Sequence, residues 1–182
     1  MVRRFSLRRA APLCFILLTS FVALAYNQGF APNGRSTKAK EAAPRFTATS
    51  TDGEKFSNAS IKGRIVLLEF WTTWCSFCAE EAPFVDKINR ESGGKDLLVL
   101  AVNVGESKKT VKKYLEAHPR SCKIVLTDDT NLAAMYAATV YPIYVVIDRE
   151  GNIAATQRGA AGEEALRDLL ADAGLEIKTE SN

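Results

Sequence analysis

The sequence predicts an α/β domain with a mixed central sheet and helices on both faces, and three observations predict it. Ile65-Val66-Leu67-Leu68-Glu69-Phe70-Trp71 and the segment Leu97 to Val104 are near-continuous apolar runs, the pattern of strands covered on both sides. Strand-like and amphipathic helical segments alternate through the middle of the chain. A turn at Asp148-Arg149-Glu150-Gly151 then joins two further strand-like runs ahead of a closing helix.

With 182 residues and 47% hydrophobic composition, the chain suits one ordinary domain preceded by a leader. Arg3, Arg4, Arg8 and Arg9 precede an apolar run from Ala10 to about Ala25, and Ala23-Leu24-Ala25 fits a small-x-small cleavage site. Residues 1–25 are therefore expected to be a signal peptide or an uncleaved N-terminal membrane anchor, with Cys14 part of that leader. The leader's four arginines exceed the whole net charge of +3, so the remaining residues stand at −1. A near-neutral domain offers no electrostatic case for nucleic-acid binding.

Residues 26–43 are rich in Ala, Asn, Gly, Ser and Lys without apolar period and read as a flexible linker. The domain is expected over residues 44–175. Phe46-Thr47-Ala48-Thr49 and Lys55-Phe56-Ser57 form a short strand pair across Thr51-Asp52-Gly53-Glu54. The apolar strand 65–71 follows, and Ala79-Glu80-Glu81-Ala82 reads as helix. After the strand from Leu97, Ser107 to about Ala117 is an amphipathic helix with Val111, Tyr114 and Leu115 on one side. Lys123-Ile124-Val125-Leu126 is a short strand, and Asp128, Asp129 or Thr130 can cap a helix through Leu132, Met135 and Tyr136. Ile143–Ile147 and Asn152–Thr156 are the strands of the closing hairpin, Gly162 to about Ala173 is the last helix, and residues 176–182 are expected to be a disordered tail.

The chemistry lies at Trp74-Cys75-Ser76-Phe77-Cys78. Two cysteines separated by two residues, directly after an apolar strand, can exchange between dithiol and disulfide. Cys75 is expected where strand turns into helix, where unpaired N–H groups and the positive end of the helix dipole stabilise a thiolate. That makes Cys75 the candidate nucleophile and Cys78, one turn in, the candidate resolving thiol. A zinc site would need two more ligands, and Cys14, Cys122 and His118 form no second paired motif. A purely structural disulfide is the other alternative, although so short a loop gains little closure entropy.

The segments Ala43-Pro44-Arg45-Phe46, Asp52-Gly53, Lys62 through Trp71, Trp74 through Cys78, Glu81, Pro83, Tyr141-Pro142 and Ile147 through Gly151 resemble the exported thiol:disulfide oxidoreductases of the TlpA/ResA type. The resemblance spans about residues 43 to 173. It implies a thioredoxin-like fold with an added N-terminal β-hairpin, periplasmic or otherwise extracytoplasmic activity, and disulfide reduction or exchange, often in cytochrome c maturation. It also implies that Pro142 is the family's cis-proline, facing the cysteines so that the backbone of Tyr141 can pair with an extended substrate strand.

Glu69 matches a position where the family carries Asp or Asn. Among apolar neighbours, desolvation would favour the neutral carboxyl, so Glu69 is a candidate to exchange a proton with Cys78; alternatively it reaches solvent at the sheet edge. Glu81 matches an acidic position near the family's cysteines, or is one of a solvated Glu80/Glu81 pair. Ser76-Phe77 departs from the usual proline-containing dipeptides, which leaves the direction of electron flow open. Trp71 and Trp74 read chiefly as packing, with Trp74 also a candidate for the substrate platform beside Tyr141 and Pro142. Pro83 is expected to kink the first helix. Cys122 reads as a buried inert thiol, and His118 is assigned no catalytic part.

The expected function is thus an exported oxidoreductase, a reductant rather than an oxidant, acting on protein thiols and disulfides and recharged by a membrane-embedded redox donor. A monomer, no cofactor and no metal are expected. Two alternatives remain: a peroxiredoxin-like peroxidase, for which Thr72 and Thr73 are in place but the loop proline is not, and a copper-chaperone-like module, which would want wider cysteine spacing and a downstream His.

Overall fold

The computed structural model describes residues 40–92, 94 and 96–175. The expected leader at 1–25, most of the expected linker and the tail at 176–182 lie outside the described residues. No described helix is long and apolar enough to cross a membrane.

Among the described residues seven strands form one sheet: β1 (Thr47–Ser50), β2 (Lys55–Ser57), β3 (Ile65–Trp71), β4 (Leu97–Asn103), β5 (Lys123–Thr130), β6 (Ile143–Ile147) and β7 (Ile153–Arg158). Their spatial order is β2-β1-β5-β4-β3-β6-β7. β3 pairs parallel with β4 and β4 with β5, while β6 lies antiparallel to β3 and β7 to β6. β1 pairs antiparallel with both β2 and β5. Every residue of β3 and β4 is buried, because neither strand has a solvent face to spend polar side chains on.

Among the described residues four helices complete the fold: α1 (Ser76–Glu91), α2 (Lys108–Ala117), α3 (Leu132–Met135) and α4 (Gly162–Asp172). Successive side chains of a strand point to opposite faces. Ile65 and Leu67 pack with Val85 and Ile88 of α1 and Leu166 and Leu170 of α4. Farther along that face, Trp71 packs with Ala101, Val111 of α2 and the two cysteines. On the opposite face, Val66, Leu68 and Phe70 are covered by Leu132 of α3 together with Phe46, Phe56 and Ile61. Helices therefore cover both faces, and the segment ahead of β3 supplies much of the second.

Two segments differ from expectation. β5 runs on to Thr130 because β1 pairs along its edge, with Ala48 opposite Thr130 and Ser50 opposite Val125 across an irregularity. Asp128 and Asp129 thus lie in a strand and cap nothing; α3 starts after Asn131, and the Thr130 Oγ1 accepts the Leu132 N–H at 3.2 Å. The last residues of the expected linker are also fixed. Ala42 bridges Asn152, the Ala43 N–H donates to the Gly151 carbonyl at 2.9 Å, and Lys40 pairs with the buried Asp148 at 2.8 Å. Asp148 Oδ1 also accepts the N–H groups of Glu150 and Asn152, and Gly151 takes the positive φ of 89° that closes this turn.

Candidate active site

β3 ends at Trp71, and the four residues that follow carry the chain to the start of α1. Cys75 is the N-cap of that helix, with extended backbone (φ −81°, ψ 106°), and its Sγ accepts the Cys78 N–H at 3.1 Å. A helix start leaves its first N–H groups without intrahelical partners, so the Cys75 sulfur occupies the place where a capping oxygen ordinarily sits. No acidic residue lies in the first turn to oppose a negative sulfur there. Cys75 and Cys78 are joined in a disulfide, their Cα atoms 5.2 Å apart. Cys75 is 7% exposed and Cys78 2%, so an incoming group meets Cys75 first.

The rim beside Cys75 is apolar and open. Trp74 is 71% exposed, Phe77 57% and Val140 50%, a concentration unusual for large apolar side chains. Trp74 meets the ring of Tyr141 edge-on at 5.8 Å between centroids. With Ser76 and Thr139 these residues line a groove of about 340 Å³ that reaches Cys75. The Tyr141–Pro142 bond is cis, as the resemblance implies. The structure thus brings Cys75, Trp74 and Tyr141 together along one groove, with Pro142 joined directly to Tyr141.

The loop carrying Trp74 and Cys75 is tied down by Glu106, which the sequence reading passed over. The Glu106 carboxylate accepts from the Thr73 N–H at 2.6 Å, from the Thr73 hydroxyl at 2.5 Å and from the Asn103 side-chain amide at 2.8 Å. Partial burial alone would raise the pKa of this carboxyl; the Thr73 and Asn103 hydrogen bonds outweigh it and hold the group below the usual glutamate range.

A buried ion-pair cluster borders Trp71, which packs against both cysteines. Glu69 is wholly buried and opposite Tyr144 in the β3–β6 register, so it does not reach solvent at the sheet edge. Its Oε2 accepts from the Arg120 guanidinium at 2.7 Å, while Oε1 is buried without a hydrogen-bond partner. Arg120, itself 4% exposed, also reaches Asp86 at 3.2 Å and lies 5.9 Å from the centroid of the Trp71 ring. Burial works against the charge on Arg120, and the Glu69 carboxylate outweighs it, pushing the guanidinium pKa upward. The carboxyl expected among apolar neighbours is therefore half of a salt bridge. A charge inside a strand covered on both faces does call for a partner, but nothing local singles out Arg120 in the Pro119-Arg120-Ser121 segment.

Glu81 is buried at 3% exposure, which rules out the solvated-face alternative. It accepts from the Tyr144 hydroxyl at 2.8 Å, from the Ala161 N–H at 2.8 Å and from the Gly162 N–H. α4 has no capping side chain of its own, so Glu81 caps it from α1. Burial, then the neighbouring Glu69 and Glu81, push the Tyr144 phenol upward and keep it a donor. Cys122 is a free, half-buried thiol that burial pushes up to about 12, which suppresses its thiolate. His118 stacks on Tyr114 at the end of α2, away from any catalytic contact. Pro83 lies inside α1. Among the described residues no three His, Cys, Asp or Glu side chains converge on a point that could hold a metal.

Comparison with known proteins agrees with this geometry. The Redoxin family matches residues 38–172. The chain is 29% identical over 158 residues to the thiol-disulfide oxidoreductase ResA of Bacillus subtilis (strain 168), covering 85% of this chain and 88% of that protein. It is 30% identical over 146 residues to the thioredoxin-like protein YneN of the same organism, covering 79% and 85%. A solved thiol:disulfide interchange protein of the thioredoxin family from Chlorobium tepidum TLS shares the fold, with a TM-score of 0.64 and 23% identity over 74% of this chain and 96% of that one.

Proposed function

This chain belongs to the Redoxin family and is a thioredoxin-fold thiol:disulfide oxidoreductase; we propose that it works outside the cytoplasm as a reductant of protein disulfides, with Cys75 attacking and Cys78 resolving. The observation that carries the reading is Cys75 at the N-cap of α1, bonded to Cys78 and opening onto an apolar groove.

In the reduced state the Cys75 thiolate, favoured by the N–H groups of the helix start, attacks one sulfur of a substrate disulfide. A Cys75–substrate bond forms and the other substrate sulfur leaves as a thiolate, which takes up a proton. Cys78 then gives up its proton and attacks Cys75, releasing the second substrate thiol and closing the Cys75–Cys78 disulfide. Two electrons have passed to the substrate, and an external donor must return them. A membrane-embedded donor fits an exported domain, and the leader over 1–25, whether signal peptide or anchor, supports that location. Burying Cys78 beneath Cys75 supports the order of attack, since only Cys75 meets the solvent side.

Glu69 is the proposed acceptor of the Cys78 proton. It lies on the same face of β3 as Trp71, which packs against both cysteines. Arg120 holds the Glu69 carboxylate in place through the hydrogen bond at 2.7 Å, and a positioned carboxylate can accept a proton as a general base. The exposed Trp74, with Tyr141 and Pro142, is the proposed platform for an extended substrate segment.

The test is covalent trapping. Cys78→Ser should accumulate a mixed disulfide between Cys75 and a disulfide-bearing protein, seen as a mass increase that dithiothreitol reverses, whereas Cys75→Ser should form none. A Cys78→Ser protein that turns over normally without trapping would overturn the assignment of attacking and resolving thiols. A reduction potential near the thioredoxin level of about −270 mV fits a reductant; one near −120 mV would make the chain an oxidant.

A further inference from the structure

α2 begins Lys108-Lys109-Thr110-Val111-Lys112-Lys113, with no acidic residue in its first turn. All four lysines are exposed, and none forms an ion pair among the described residues. Cations at a helix N-terminus oppose the helix dipole, so this charge is placed where it costs helix stability. It is also local: residues 26–182 carry −1 in all, and without these four lysines they would stand at −5.

The cluster borders a second groove and the catalytic loop. Lys108 and Lys112, with Thr51, Val111 and Leu115, line a groove of about 330 Å³ that holds no thiol. Two residues before Lys108, Glu106 grips Thr73, which is itself two residues before Cys75. The Glu106–Thr73 contact thus ties the residues just ahead of α2 to the loop that carries Cys75.

We propose that Lys108, Lys109, Lys112 and Lys113 form a docking surface for an acidic segment of the disulfide-bearing substrate protein, which lies along the α2 groove while its disulfide reaches Cys75. The proposal rests on the oxidoreductase reading and adds the substrate's charge class. A peptide fits the surface better than a lipid headgroup plane does. A membrane-surface helix needs an apolar face free to enter the bilayer, and the apolar side of α2 (Val111, Tyr114, Leu115) is packed into the domain. A concave groove also suits a chain rather than a flat surface.

The experiment uses the reduced full-length chain and two peptide disulfides that differ only in carrying acidic or basic flanking residues. A small uncharged aromatic disulfide serves as a third substrate. At low salt the acidic peptide should react about tenfold faster than the basic one, and the ratio should fall toward one at about 0.5 M salt. It should also fall toward one when all four lysines are replaced (Lys108→Gln, Lys109→Gln, Lys112→Gln, Lys113→Gln). Because the ratio is internal to each protein, a general loss of activity cancels. A ratio near one in the parent, or one unchanged by the four substitutions, overturns the proposal. Failure to reduce even the small disulfide would instead sink the oxidoreductase reading. Docking would then be judged by fluorescence anisotropy with cysteine-free peptides, where lysine-dependent preference for the acidic one supports it and equal binding overturns it. Lysine-dependent binding to phosphatidylglycerol vesicles together with a peptide ratio of one would make the patch a membrane surface, and the docking proposal would fall.

Discussion

Removing Arg120 tests the buried ion-pair cluster most severely. In Arg120→Met the stem of the side chain still fills its space, but Glu69 loses the hydrogen bond that compensates its charge. Asp86 keeps the Ser121 N–H and hydroxyl at 3.0 and 3.1 Å but also loses its ion pair with Arg120, so the loss belongs chiefly to Glu69, which keeps no other hydrogen bond. Breaking a buried pair by deleting one partner costs about 3–5 kcal/mol, a large share of a typical domain stability of about 5–15 kcal/mol. Urea unfolding at neutral pH should show that loss. Replacing the pair together, Glu69→Leu with Arg120→Met, should recover most of the stability, since an apolar pair of similar volume carries no desolvation cost. Resolution of the mixed disulfide by Arg120→Met should slow by roughly a hundredfold, because Glu69 loses the contact that holds it in place as the proposed acceptor of the Cys78 proton. A variant within about 1 kcal/mol of the parent, or a double variant no more stable than the single one, would refute the reasoning.

Two further substitutions probe the carboxylates that position the site. Glu81→Ala strands the buried Tyr144 hydroxyl and uncaps α4; one unsatisfied buried group costs about 1–3 kcal/mol, so urea unfolding should register at least that, and an unchanged midpoint would show that α4 needs no cap from α1. Glu106 has a depressed pKa in the folded state, so the stability it lends is complete above the ordinary glutamate value of about 4.3 and is lost as pH falls through the lower folded value. Glu106→Gln should flatten this acid limb of the stability profile and speed amide hydrogen exchange at Thr73; an unaltered profile and exchange rate would mean the clasp does not hold the loop.

What sequence could disclose, and what it could not, follows from the range over which pattern carries information. Ile65–Trp71 was legible as a doubly covered strand because every position on both faces is buried. The Cys75/Cys78 pair was legible because its spacing falls between an apolar strand and a helical run, which together place a dithiol at a helix start. The polar contacts that fix the site were not. Arg120 meets Glu69 across 51 residues, Glu106 meets Thr73 across 33 and Glu81 meets Ala161 across 80. No local period links such pairs. Asp128 and Asp129 have the chemistry of helix caps, and it is β1, far earlier in the chain, that holds them in a strand. The fixed residues 40–43 are illegible for the same reason: their composition is that of a linker while their hydrogen bonds go to the turn between β6 and β7 and its flanks.

The central claim is that Cys75 is the attacking thiolate, and the pH dependence of alkylation tests it most directly. The reduced full-length chain is treated with iodoacetamide across a pH series, and modification of each cysteine is followed by peptide mass spectrometry. The account predicts that Cys75 reacts rapidly well below the ordinary thiol pKa of about 8.5, while Cys78 lags behind it and Cys122, pushed up to about 12 by burial, stays unmodified. Modification of Cys78 ahead of Cys75, or a Cys75 rate that rises only at or above the ordinary thiol value, would contradict it.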